Sequence, residues 1–267
     1  MLTEGQIAAA AAELDQAEQT RIQTKPLTLR LTDMDMDDAY AVQKAWIDLK
    51  LARGAKITGY KIGLTSRAMQ QVMNITTPDF GVLLDEMHFA SGSTIHAADF
   101  LDPRIEAEFG FVMKEPLYGE NVTAEQVLAA TDYVVPALEL ISARSTRTDP
   151  DSGYTRTVFD TIADNAANAG YIPADQHFAP NEVDLRWAGA LLYLNGEVEE
   201  SGLGGAVMEH PANGICWVCK RFAKHGVGLE PGQFVLSGSF TRPIAIKPGD
   251  ELVADYGALG KIELSVS

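Results

Sequence analysis

The chain has 267 residues, 46% of them hydrophobic, which is enough to bury the core of one large or two small domains and excludes a disordered polypeptide. Its 21 Lys and Arg stand against 37 Asp and Glu, a formal net charge of -16 that repels nucleic-acid backbones and anionic membrane surfaces, so neither is an expected partner. Two cysteines make no disulfide framework, the N-terminus MLTEGQIAAAAAELD lacks the basic flank and apolar core of a signal peptide, and no stretch approaches the roughly 18 apolar residues of a membrane span; the expected compartment is the cytoplasm.

In chain order, residues 3–24 are rich in Ala, Glu and Gln, and residues 35–53 repeat apolar side chains at helical spacing with acids early and bases late. A helical N-terminal quarter follows. After Gly54 the texture changes to short apolar or alternating runs, ITGYKIGL, RIEAEFGFVM, YVVPALELI, LRWAGALLYLNG, GQFVLSG and ELVADYG, punctuated by Gly, Pro and Asp as strands are. One clear helix interrupts them, Pro211 to His225, opened by His210-Pro211 and closed by Gly226. There is no internal repeat and no strict βαβ alternation, so the expected fold class is α+β, a helical front and a mixed or antiparallel β core.

A net charge of -16 also opposes an anionic substrate, so a site that binds one needs a local cation. In RIEAEFGF, strand alternation sends Glu106 and Glu108 to one face and Ile105, Ala107 and Phe109 to the other. Two acids on one face are compatible with a solvated surface. Glu139 lies inside the apolar run VVPALELI, where an unpartnered carboxylate costs several kcal/mol. Its partner is either a structural Arg or Lys or a hard divalent cation shared with the other two acids, and all-oxygen ligation favours Mg²⁺ or Mn²⁺ over zinc. Lys61, in TGYKIGLTS, is flanked by apolar residues and glycines; burial there can lower an amine into a useful range, unless the side chain snorkels to water. Asp79 follows a proline in TPDFG, in an expected turn where Asp ordinarily bonds to nearby backbone. The segment LSGSFTRP offers backbone N–H groups, the Ser239 and Thr241 hydroxyls and the Arg242 guanidinium, a set that can cradle a carboxylate or simply make a hairpin turn. Four other features are set aside. The kinase-like Asp79-Phe80-Gly81 has no accompanying catalytic loop, Gly202, Gly204 and Gly205 have no βαβ unit, Cys216 and Cys219 read as helix packing, and the five histidines show no ligand spacing.

Taken together, GYKIGLTS, PDFG, PRIEAEFGFV, ATDYVVPALELI, FDTIADNAANAG and the HPANG helix resemble the hydratase/decarboxylase branch of the fumarylacetoacetase superfamily, from about Asp35 to the C-terminus. The resemblance implies a single hydratase domain, residues 1–75 mainly helical and 76–267 a mixed β-roll or barrel. It makes Glu106, Glu108 and Glu139 ligands of Mg²⁺ (or Mn²⁺), gives Lys61 and Asp79 acid–base roles, and implies a homo-oligomer. Within the branch, STRTDPDSGYTRTVFDTIADN and SGSFTRP look most like members that hydrate 2-oxohept-4-ene-1,7-dioate in homoprotocatechuate degradation. A pentadienoate hydratase, an oxalocrotonate decarboxylase and a subunit that only chelates a keto acid are the alternatives. A dioate has a second carboxylate to bind. Arg242 is the leading candidate for it, ahead of Arg144, Arg147 and Arg156.

Overall fold

The computed structural model describes residues 1–67, 70 and 77–267. Helix α1 (Glu4–Thr20) starts at Thr3, whose hydroxyl accepts from the Gln6 N–H while the Gln6 side chain accepts from the Thr3 N–H; Asp35 and Asp38 repeat this reciprocal cap at the start of α2 (Met36–Ala52). Each cap satisfies amides that the helix itself leaves without acceptors. The two helices pack together and bury Leu14, Val42, Trp46 and Ile47.

The strands are β1 (Ile57–Gly63), β2 (Asp79–Leu84), β3 (Thr94–Ile95), β4 (Arg104–Met113), β5 (Thr131–Ile141), β6 (Asn168–Pro173), β7 (Gly189–Leu194), β8 (Glu197–Leu203), β9 (Phe234–Leu236), β10 (Ile244–Ala245), β11 (Glu251–Asp255) and β12 (Lys261–Val266). Helices α3 (Ala124–Ala130), α4 (Val158–Ala163) and α5 (Pro211–Ala223) lie between them. A seven-stranded sheet runs β2-β1-β9-β4-β5-β6 with β10 also on β4, antiparallel except for β1 with β9. It curls until its ends meet. His88, just past β2, bridges Tyr171 of β6, and the Phe89 N–H donates to the Tyr171 carbonyl at 3.0 Å. Asn165 imitates a strand partner for β2, accepting from the Val82 N–H at 2.7 Å and donating to the Val82 carbonyl at 2.9 Å.

The second sheet, β3-β12-β11-β7-β8, is antiparallel except where β3 meets β12. Tyr256, just past β11, reaches into the first sheet, its hydroxyl 2.6 Å from the Ala137 carbonyl and 3.1 Å from that of Glu108. One apolar core joins helices and sheets, with Leu14, Trp46, Ile62, Phe109, Leu138 and Leu236 among its members.

The α+β fold with a helical front and a mixed β-roll is the one expected from sequence. Two details differ. Asp79 opens strand β2 and is not in a turn, because β1 offers it a register partner in Gly63. The short helices α3 and α4 escaped periodicity, being 7 and 6 residues long. The boundary expected at 75/76 lies outside the described residues.

Candidate active site

Register brings the acids together. Glu106 and Glu139 are direct partners across β4 and β5, and Glu108 follows Glu106 by two residues, so all three side chains leave the same face. Lys61 of β1 is level with Leu236 of β9, itself level with Gly110 of β4; two and four residues back along β4 stand Glu108 and Glu106. Lys61 therefore shares their face. Asp79 does too, as the partner of Gly63, two residues beyond Lys61. Gly63 is what makes room: a Cβ there would lie 2.1 Å from Asp79 Oδ1 and 3.1 Å from Lys61 Nζ.

An oxygen from each of Glu106, Glu108 and Glu139 lies within 4.8 Å of the others. Glu108 and Glu139 are wholly buried, and Asp79 and Lys61 nearly so. One oxygen of each of the two buried glutamates is held: Gly238 N–H donates to Glu108 Oε2 at 2.8 Å, while Glu139 Oε1 accepts from Asn168 Nδ2 at 2.8 Å and faces Lys61 Nζ at 3.2 Å. Their other oxygens, Glu108 Oε1 and Glu139 Oε2, are buried without a partner among the described residues, as is Asp79 Oδ1. Burial, reinforced by Glu139, pushes the Glu106 carboxyl up to about 8; burial, then Glu139 and Glu106, hold Glu108 well above the usual carboxylate range. Asp79 is raised to about 6 by burial, against the pull of Lys61.

For Lys61 the sign is opposite to the sequence expectation. Burial alone would lower it, but Glu139, Asp79, Glu106 and Glu108 together hold it above the ordinary lysine range. Four carboxyls thus share one ammonium. The excess negative charge and the unpartnered oxygens fit a hard divalent cation among the three glutamates, where its charge would relieve their repulsion.

The loop after β9 completes the edge of β4. Thr241 Oγ1 accepts from the Ala107 N–H at 2.9 Å, the Phe240 N–H donates to the Ala107 carbonyl at 3.2 Å, and Ser239 Oγ donates to the Thr241 carbonyl at 2.8 Å. Gly238 can present its N–H to Glu108 because it adopts φ +116, where a Cβ would also strike Thr65 Oγ1.

Glu106, Lys61, Asp79, Ser239 and Thr241 line one cavity, whose wall also carries Arg104, Arg147 and Arg156. Arg242 is not there. Its side chain is 74% exposed and pairs with Glu200 of β8 at 2.6 Å, in an adjoining surface groove beside Trp187 that shares Ser239 and Thr241 with the cavity, so Arg242 does not line the cavity that holds Lys61 and Asp79. Arg144 is also elsewhere, buried between Asp164 and Glu18. One residue with a place at the site escaped the sequence reading: Asn168 holds Glu139, and its signal was an Asn in a run of small residues. Of the competing arginines the sequence offered, Arg147 and Arg156 line the cavity.

Comparison with known proteins shows the family. Residues 58–267 match the fumarylacetoacetate (FAA) hydrolase C-terminal family. The chain is 50% identical over 252 residues, 94% of each protein, to a 2-oxo-hept-4-ene-1,7-dioate hydratase of Escherichia coli. It is 36% identical over 261 residues to a 4-oxalocrotonate decarboxylase of Pseudomonas sp. strain CF600, covering 97% of this chain and 96% of that one. The crystal structure of 4-oxalocrotonate decarboxylase from Pseudomonas putida G7, complexed with magnesium and adipate, superposes with a TM-score of 0.94 at 33% identity, covering 100% of this chain and 99% of the other. On all of this, the chain belongs to the fumarylacetoacetate hydrolase C-terminal family.

Proposed function

We propose that the chain is a divalent-cation-dependent hydratase that adds water to 2-oxohept-4-ene-1,7-dioate, or its dienol, to give 4-hydroxy-2-oxoheptane-1,7-dioate in the catabolism of aromatic compounds. The observation that carries the reading is the cluster of Glu106, Glu108 and Glu139, with unpartnered buried oxygens, beside Lys61 and Asp79 on the face of one cavity. The likeness to the Escherichia coli hydratase supplies the substrate. Working in the cytoplasm and as a homo-oligomer belongs to the same reading; among the described residues no helix is long and apolar enough to cross a membrane.

In this reading Glu106, Glu108 and Glu139 hold Mg²⁺ or Mn²⁺. Such an ion, when bound, supplies Lewis-acid stabilisation of negative charge at the substrate's 1-carboxylate and 2-oxygen. The protein's own groups then move protons. Lys61 and Asp79 flank Gly63 and serve the points where a proton enters or leaves: the 2-hydroxyl, carbon 5, the attacking water and carbon 3. The dienol is protonated at carbon 5 as its 2-hydroxyl proton departs, giving a conjugated 2-oxo-3-ene. Water adds at carbon 4 and loses a proton, and carbon 3 takes one up. Asn168 keeps Glu139 from rotating, and the Gly238 N–H does the same for Glu108.

The test is turnover of the dioate by purified protein, before and after chelation and on re-addition of Mg²⁺. Activity that survives removal of every divalent ion overturns the proposal. The structural likeness to a decarboxylase favours one second reading, in which the same face acts on 4-oxalocrotonate. Release of carbon dioxide from that substrate, with no hydration of the dioate, would select it.

A further inference from the structure

We propose that Arg156 receives the distal carboxylate of the substrate and so sets the preference for a dioate over a mono-acid. The inference rests on the dioate reading above and names the group that such a reading requires.

Three arginines line the cavity that holds Lys61, Asp79 and Glu106. Arg104 is already engaged, its Nε and Nη2 lying 3.1–3.3 Å from the two oxygens of Asp102. Arg147 is exposed to solvent. Arg156 is different. It is half-buried, it donates from Nη1 to the Ser145 carbonyl at 3.1 Å, and its Nε is buried with no partner among the described residues. No carboxylate forms an ion pair with it among the described residues. A guanidinium shut away with an unused donor costs free energy until an acceptor arrives.

The backbone holds it in place. Residues 147–156 form a small hairpin: Arg156 N–H donates to the Arg147 carbonyl at 2.9 Å, Asp149 N–H to the Tyr154 carbonyl at 2.8 Å, and Thr148 bridges Thr155. The hairpin therefore sets two guanidinium groups side by side on the cavity wall. Burial lowers Arg156 from its ordinary value, against the pull of Asp164 and with a further push from Arg147. A carboxylate at the far end of the substrate would complete the set, taking Arg156 through its free Nε and leaving the solvated Arg147 as a weaker second contact.

The experiment compares Arg156→Gln and Arg156→Lys with the wild type on the dioate and on 2-hydroxypenta-2,4-dienoate, which has no second carboxylate. Expected is a fall in the dioate-to-mono-acid ratio of kcat/KM by about 30-fold or more in Arg156→Gln, carried mainly by KM for the dioate, and a smaller fall for Lys, which keeps the charge without the fork. Arg242→Gln, away from the cavity, leaves the ratio unchanged. Equal losses on both substrates, or an unchanged ratio in either variant, overturn the proposal. Calorimetric titration with 2-oxoheptanedioate and 2-oxohexanoate in the presence of Mg²⁺ gives a readout independent of turnover. If the wild type hydrates no dioate, the proposed function falls; the analogue pair still decides Arg156, which is refuted if the wild type binds both alike or the variant keeps the wild-type preference.

Discussion

At the scale of residues, the site depends on a glycine as much as on its acids. Gly63→Ala would drive a methyl against Asp79 Oδ1, so the carboxyl must move although its chemistry is unchanged. The expected result is a fall in kcat of about 100-fold with Mg²⁺ affinity nearly preserved, since a displacement of about 1 Å can cost that much. Steady-state kinetics with and without saturating Mg²⁺ will check it. Lys61→Ala and Asp79→Ala should each lose on the order of 100- to 10,000-fold in kcat with the same retention of metal binding. Near-normal turnover in both variants would remove their proton-transfer roles. Strand alternation in RIEAEFGF made Glu106 and Glu108 legible from sequence, and an acid in an apolar run marked Glu139. That Glu139 stands opposite Glu106 was not legible, because it depends on the register of two strands joined through 17 intervening residues, 114–130. That Arg242 lies off the cavity was not legible for a related reason. A charge beside a Gly/Ser loop says nothing of which way the side chain leaves, and Glu200, from a different sheet, draws it outward.

At the scale of elements, the helical front is fastened to the roll by one buried cation. Arg144 bonds Asp164 at 3.0 Å and Glu18 of α1 at 3.1 Å, donates to the Asn168 carbonyl at 2.8 Å, and lies 4.7 Å over the Trp46 ring of α2. Arg144→Met should cost about 3–5 kcal/mol in urea unfolding, because it leaves Asp164 buried and unpaired. Glu18 adds a pH dependence. Burial raises its carboxyl, but Arg144 and Lys50 outweigh burial and hold it below the ordinary value of 4.5. A depressed carboxyl contributes stability that is present above its unfolded pKa and is lost as pH falls through its folded pKa. Denaturation midpoints should therefore drop below about pH 4.5, more steeply in the wild type than in Glu18→Gln. Parallel profiles would show that Glu18 carries none of the dependence. Long elements such as α1, α2, β4 and β5 were legible because their periodicity runs over 10 or more residues. The two-residue strands β3 and β10 were not, since only their partners make them strands.

At the scale of the whole molecule, a chain of net charge -16 folds around a nest of acids whose mutual repulsion a bound cation would relieve. Mg²⁺ should raise the melting temperature, since an ion that binds only the folded state adds about 2.7 kcal/mol at 100 times its Kd. Glu139→Gln should abolish that shift. Glu108→Gln should melt higher than the wild type when both are stripped of metal, because it removes a carboxyl that burial and its neighbours already disfavour in ionised form. A lower melting temperature for stripped Glu108→Gln would show that its bond from the Gly238 N–H outweighs the repulsion.

The hairpin of residues 147–156 is moored to the N-terminal region on several lines. Lys25 pairs with Asp151 at 2.6 Å and Asp149 at 3.4 Å, the Tyr154 hydroxyl donates to Thr28 Oγ1 at 3.1 Å, and the Thr146 N–H donates to the Thr24 carbonyl at 2.9 Å. Thr24, Lys25 and Thr28 all precede residue 58, where the family match begins. The acids and the cavity wall are thereby held by different stretches of chain: the acids sit on strands within the matched region, while the hairpin that carries Arg147 and Arg156 is tethered to residues 24–28, ahead of it. Changes at residues 24–28 would shift the hairpin that carries Arg156 while leaving Lys61 and Asp79 in place.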